Sequence, residues 1–287
     1  MSNATVSAQD VKDHVRQVVR RASPFVEKFA RVGYAARGAI YSLVGILSLL
    51  AALGHRDKAV GGSRSVLQHI FQHQYGQVLL LALALGLACH AVWQLILAIN
   101  DPEFEGTGRR GIVKRLSYFG SATVHAALVV FAIKLLLGYA RRGDDDSTAR
   151  GWSAIIMSYP AGRWCVAAIG VGFVLYGFRR IHKGWRAKLD RIDFSSLGKN
   201  LGGWICRICQ FGIIARGIVF ALVGIFFVIA AYDQKPSEAH GLSGALDALR
   251  DQPYGTWLLA IVALGLMSYG FYEFVRAALR RITPPTA

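Results

Sequence analysis

Charge is what this sequence has least of. Only 17% of its 287 residues are Asp, Glu, Lys or Arg, while 54% are hydrophobic and the mean hydropathy is +0.37. Soluble domains carry about a quarter charged residues, so most of a water-facing surface is missing and the chain reads as an integral membrane protein. Acid is scarcest, with 17 Asp and Glu against 33 Lys and Arg. Four cysteines make no disulfide framework. The seven prolines all fall outside the cores of the apolar runs, which excludes the Gly-Pro-broken helices that many transporters use to form sites. Residues 1–31 are polar and basic, with no apolar stretch before a cleavage site, so no cleaved signal peptide is expected. A nucleotide loop, a nucleophile elbow and a His-Glu-x-x-His pattern are all missing. Neither an enzyme nor a bound cofactor is expected.

What is present is six apolar runs, at about 36–53, 77–99, 118–139, 162–180, 212–232 and 256–278. Each is near the roughly 20 residues that cross a hydrocarbon core as a helix. The expected fold is all-α, a polytopic bundle of six transmembrane helices. Lys and Arg set the orientation: 23 lie on the side of the two termini, the 100–117 loop and the 179–216 segment, against 9 opposite, with Lys134 inside a run. Both termini are therefore expected in the cytoplasm, the chain being multi-pass in the bacterial cytoplasmic (inner) membrane.

Two basic segments look interfacial. In residues 1–30, Val11, Val15, Val18, Ala22, Phe25, Val26 and Phe29 form an apolar stripe among Lys12, Arg16, Arg20 and Lys28, as in a helix lying in the headgroup plane. Residues 181–206 interleave Trp185, Leu189, Ile192, Phe194, Leu197, Leu201 and Trp204 with Arg186, Lys188, Arg191 and Lys199. Anionic inner-leaflet lipid accounts for these cations without nucleic acid. The bilayer is the expected partner.

Internal repeats decide the architecture. A shift of 179 residues lays Gly33 on Gly212, Ala36-Arg37-Gly38 on Ala215-Arg216-Gly217, Gly45 on Gly224, Tyr75-Gly76 on Tyr254-Gly255 and Gly86-Leu87 on Gly265-Leu266. A shift of 84 finds a weaker middle copy, with Arg31 and Tyr34 on Arg115 and Tyr118. After a two-residue insertion Gly76 and Gly86 fall on Gly162 and Gly172. The copies occupy 31–100, 115–180 and 207–280. Each is a span, a loop with a short amphipathic segment, and a second span. A two-span unit returns to its starting side, so the three copies are parallel and related by a pseudo-threefold axis along the membrane normal. Small residues at helical spacing (Gly38, Ser42, Gly45; Ala82, Gly86; Ala168, Gly172; Gly217, Ala221, Gly224) mark close helix packing.

Through Gly33-Tyr34-Ala35-Ala36-Arg37-Gly38 and its partner Ala215-Arg216-Gly217, the chain resembles the bacterial domain-of-unknown-function 1206 proteins, built from three tandem two-helix repeats. The likeness covers about residues 30–280 and departs in the middle copy, where Gly120-Ser121-Ala122 replaces Ala-Arg-Gly. It implies a bacterial cytoplasmic membrane protein and supplies no activity or site.

Charge inside a span points to function or to pairing. Arg37, Arg216 and Glu273 lie about one turn inside their spans. Equal depth in adjacent helices suggests an Arg216–Glu273 ion pair, and Gln94, the counterpart of Glu273, suggests a polar pair with Arg37. These read as hairpin clamps, or else as an anion-binding ring on the axis. His90, Tyr176 and Tyr269 are equivalent mid-membrane positions, as are Tyr41, His125 and Phe220. Facing the axis, His90 or His125 could relay protons, but an aromatic-sized packing position explains every member.

Cys206-x-x-Cys209 lacks the other two ligands zinc needs and reads as small apolar residues of a helix. His69 and His73, with His55 nearby, have metal-compatible spacing, yet the third copy has Ala248 and Gln252 there. Asp144-Asp145-Asp146, beside Arg141, Arg142 and Arg150, reads as a solvated loop. Two function classes follow. One is a structural or interaction protein, self-associating through small-residue faces or joined to another membrane protein. The alternative is a small-solute or ion transporter or channel along the axis.

Overall fold

The computed structural model describes residues 8–54, 61–100, 108–139, 145–187, 189, 192, 194 and 198–280, with side chains from Glu27 onward except those of Asn100, Arg109, Arg110, Asp145 and Lys199. Among the described residues nine α-helices follow one another: α1 (Ala8–Ala52), α2 (Ser63–Phe71), α3 (Gly76–Asn100), α4 (Arg109–Leu136), α5 (Asp145–Met157), α6 (Gly162–Trp185), α7 (Lys199–Tyr232), α8 (Leu242–Arg250) and α9 (Gly255–Leu279). Six are long and apolar enough to cross a membrane, over 27–52, 76–99, 111–136, 162–185, 200–232 and 255–279. These agree with the six apolar runs, but several extend further at the basic end. Lys and Arg are good helix formers whose stems lie along the helix while the charge reaches outward, so charge does not end a span. The linker between α6 and α7 accordingly shrinks to 186–198. Of its described residues, Ile192 pairs to Arg280 and Leu189, Ile192 and Phe194 pack on the main core. The N-terminal stripe belongs to α1 itself, which runs unbroken through Pro24 into the first span. Its side chains before Glu27 lie outside the described residues.

At the end of the bundle away from the chain termini, α2, α5 and α8 repeat one device. In α2, Val66, Leu67 and Ile70 face the core; in α8, Ala245 and Leu246 do. Each short helix turns directly into the next span at a glycine. A Cβ on Gly76, Gly162 or Gly255 would stand 2.2, 1.8 or 1.8 Å from the carbonyl oxygen of Ile70, Ile156 or Arg250, so only glycine allows the turn.

The second span of each repeat packs against the first span of the next: α3 on α4, α6 on α7, and α9 back on α1. This cyclic order is the pseudo-threefold relation in contact form. Glycines set the closest approaches, with Gly38 facing the Gly270 carbonyl, Gly217 that of Gly177, and Gly224 that of Gly170. Without a hydrophobic drive between helices in lipid, such backbone proximity is what holds spans together.

Within repeats 1 and 3 the two spans also meet. Gly33 lies on the backbone of His90 and Gly86 on Ala36; Gly212 lies on the backbone of Tyr269 and Gly265 on Ala215. Repeat 2 is different. Among the described residues α4 and α6 form no such interface, and a Cβ added to Gly120 or Gly172, the counterparts of Ala36 and Gly86, would meet nothing within 4 Å. Ser117 stands where Gly33 and Gly212 admit the neighbouring backbone. The ring of six spans is closed at five junctions and open along one seam.

Candidate functional site

The two sets of equivalent mid-membrane residues meet one another in pairs. His90 of α3 stands edge-on to His125 of α4, with centroids 4.6 Å apart. Tyr176 of α6 meets Phe220 of α7 at 5.4 Å, and Tyr269 of α9 meets Tyr41 of α1 at 4.9 Å. Each pair joins one repeat to the next, and each edge-to-face contact contributes roughly 0.5–1.5 kcal/mol beyond burial. His90, His125, Tyr41 and Tyr269 are buried, whereas Tyr176 is half-buried. The His125 Nδ1 lies 2.6 Å from the Ser121 carbonyl oxygen.

Next to these rings, toward the basic end, lies a polar tier whose three junctions differ in charge. At the α3–α4 junction both members are neutral, and Gln94 donates to the Ser121 hydroxyl over 3.0 Å. At the α9–α1 junction the Glu273 carboxylate is 3.4 Å from Arg37. It also accepts from Arg276 at 2.9 Å and from the Tyr269 hydroxyl. At the α6–α7 junction both members are arginines. Arg180 donates to the Tyr176 hydroxyl at 2.9 and 2.7 Å. Arg216 donates to Tyr41 and Tyr269 at 3.1 and 2.9 Å and lies 4.6 Å from the centroid of Phe220.

The expected pairs are therefore redrawn. Glu273 takes Arg37 and Arg276 as its ion-pair partners, and Arg216 reaches it only through the shared Tyr269 hydroxyl. Gln94 serves Ser121, while Arg37 Nη1 lies 3.4 Å from His90 Nε2. The reason is geometric: at this depth Glu273 and Gln94 point across the glycine-lined junction to the next repeat, while across their own hairpins Arg37 and Arg216 meet the ring residues His90 and Tyr269. Sequence reasoning also passed over Arg276, one turn beyond Glu273, and the Tyr34 hydroxyl, which accepts from Trp93 at 2.8 Å and Arg280 at 2.5 Å.

Each of the three segments 32–101, 116–187 and 211–280 matches the description Domain of Unknown Function (DUF1206), and each coincides with one two-span repeat of the ring. The chain belongs to the DUF1206 family. The DUF1206 chain is also similar to a protein of Bacillus subtilis (strain 168) titled Uncharacterized protein YxxB, at 32% identity over 276 residues, covering 95% of this chain and 98% of the relative. No solved structure matches it. Neither description names an activity, so the chemistry has to come from the residues.

The other sequence candidates lie away from the axis of this DUF1206 protein. His69 and His73 meet edge-to-face at 4.8 Å, His55 lies outside the described residues, and among the described residues no three His, Cys, Asp or Glu gather as a metal site. Cys206 and Cys209 are free thiols within α7. Of the acidic run, Asp144 and the Asp145 side chain are outside the described residues, but Asp146 is buried rather than solvated. Its carboxylate accepts from the Gly241 and Gly244 amides at 2.9 and 2.8 Å and contacts His240 at 2.9 Å. It thus caps α8 of repeat 3 from α5 of repeat 2. A cavity of about 590 Å³ at this same end, lined by Met157, Arg163, Trp164, Gln234 and Pro236 among others, holds none of the axial residues.

Proposed function

We propose that this DUF1206 chain is a non-enzymatic interaction protein of the bacterial cytoplasmic membrane, its termini in the cytoplasm. Its axis is packed, and it engages other membrane components through the open side of repeat 2. The observation that carries this reading is the set of three ring pairs. Each tier position that would line an axial pathway is occupied by a side chain locked against its neighbour, and the arginines behind are bonded to tyrosines and to Glu273. The asymmetry of lysine and arginine supports the orientation.

Thiol accessibility tests it. The four native cysteines are replaced, single cysteines are placed at His90, Tyr176 and Tyr269, and intact cells are treated with a small membrane-impermeant thiol reagent. The expected result is protection at all three positions while a cysteine in the 54–64 loop is labelled. Matching labelling at all three would mean water on the axis, and the small-solute or ion transporter or channel would replace the interaction protein.

A further inference from the structure

The open seam lies within repeat 2, and the unbalanced arginines lie at the junction of that repeat with repeat 3. In all six spans the only acids are Glu27, bonded to Arg31 at 2.7 Å, and Glu273, already held by Arg37 and Arg276. Arg180 and Arg216 occupy a junction that has two cations and no carboxylate, on the two rings of the Tyr176–Phe220 pair. Counting Arg37, Arg276 and Glu273 with them, the tier holds four guanidinium groups and one carboxylate. Charge in a low-dielectric surrounding requires a counter-charge. A further donor at this tier, the Nε of buried Arg37, has no hydrogen-bond partner.

The route by which an anion would arrive is also present. Tyr176 and Arg180 are half-buried, while their counterparts His90, Tyr269, Gln94 and Glu273 are buried. What leaves them uncovered is the seam. Along it Gly120 and Gly172 present backbone to open space, and Val124 is exposed where Ile40 and Val219 are buried. Arg180 lies five residues before the end of α6, about 7.5 Å at 1.5 Å per residue. A guanidinium there reaches the level of the headgroups by extending its stem.

We propose that the seam between α4 and α6 is a binding site for an anionic phospholipid, with its phosphate at Arg180, backed by Arg216, and one acyl chain lying along Gly120, Val124 and Gly172. This rests on reading that side of repeat 2 as the interaction face. A phosphate diester supplies the charge the tier lacks, and charge-assisted guanidinium–phosphate bonds favour it geometrically. An acyl chain fits a face from which side chains have been removed. A span of a second copy would cover the glycines but would bring no acid, since Glu27 and Glu273 are the only ones in the spans.

The test uses the full chain purified in detergent and titrated with phosphatidylglycerol, phosphatidylcholine and inorganic phosphate. Thermal unfolding and native mass spectrometry report binding. Phosphatidylglycerol is expected to bind and to raise the midpoint, with phosphatidylcholine weaker and inorganic phosphate without effect. Arg180→Gln should weaken phosphatidylglycerol binding at least fivefold, with Arg180→Lys recovering part of it. Gly120→Leu and Gly172→Leu, where an added Cβ meets nothing within 4 Å, should weaken it similarly without lowering the lipid-free midpoint. Equal binding by all of these variants would overturn the proposal, and so would equal stabilisation by inorganic phosphate. Copies cross-linking through Val124→Cys in vesicles would also overturn it, giving the seam to a second copy while the interaction reading stood. Only axial thiol labelling would bring down that reading itself.

Discussion

Glu273 is the residue on which most of the axial tier converges. It accepts from Arg276 and Tyr269 and is paired with Arg37, with no exposure of its own. Breaking a buried pair by removing one partner costs about 3–5 kcal/mol, because the other charge stays buried and uncompensated. Glu273→Ala should therefore lower stability by about that much in thermal unfolding of the purified protein. Glu273→Gln should cost less, because it can still accept from Tyr269. In a double-mutant cycle, Glu273→Gln with Arg37→Gln should show coupling above about 0.5 kcal/mol, and larger than the cycle with Arg216→Gln. The opposite order would restore the hairpin clamp that the sequence suggests. Depth in the membrane was legible from sequence, since a residue's distance from the end of an apolar run gives its height. The partner was not, because it depends on how each helix is rotated about its own axis, and equal height fits several neighbours. Asp146 shows the same limit: its sequence neighbours are charged, yet its partners are amides 95 and 98 residues away. Loss of such a cap costs about 0.5–2 kcal/mol, so Asp146→Ala should destabilise by that amount and Asp146→Asn by less. Circular dichroism melts that cannot tell Asp146→Ala from the parent would remove the cap from the account.

At the scale of the helices, the same residue type has opposite roles in different repeats. Gly212 sits where a Cβ would come within 2.3 Å of the Tyr269 amide nitrogen, whereas Gly120 faces nothing within 4 Å. Alanine is better than glycine inside a helix by about 0.8–1.0 kcal/mol. Gly120→Ala should therefore be neutral or stabilising by up to that amount, while Gly212→Ala must push α7 from α9 and destabilise by about 1–3 kcal/mol as overpacking does. Unfolding of the two variants in mixed micelles separates these signs, and equal losses would contradict the open seam. Span number, repeat period and parallel relation all followed from the sequence, because apolar run length and glycine spacing are printed in it directly. The opening did not, although Ser117 in place of Gly33 and Gly212 was a visible sign. A stripe of small residues says that close approach is permitted, not that a neighbour arrives.

For the molecule as a whole, three copies of one hairpin would make a symmetric ring only if all three were closed. Here the contacts between successive repeats complete the circle, and the symmetry breaks at a single place, inside repeat 2. The break is measurable at one equivalent residue: Ile40 and Val219 are 2% and 1% exposed, and Val124 is 56% exposed. Spin labels at these three positions in vesicles should report the difference through collision with molecular oxygen, which partitions into acyl chains and not into packed protein. The expected outcome is high oxygen accessibility at Val124 and low accessibility at Ile40 and Val219. Low accessibility at all three would mean that α4 and α6 close in the bilayer or that another span covers them. If they close, the charge imbalance of the arginine tier would have to be met from within the protein, and if another span covers them, by that span. High accessibility at Val124 alone leaves the seam facing lipid, with Arg180 at its basic end, and makes repeat 2 the side from which this membrane protein meets its surroundings.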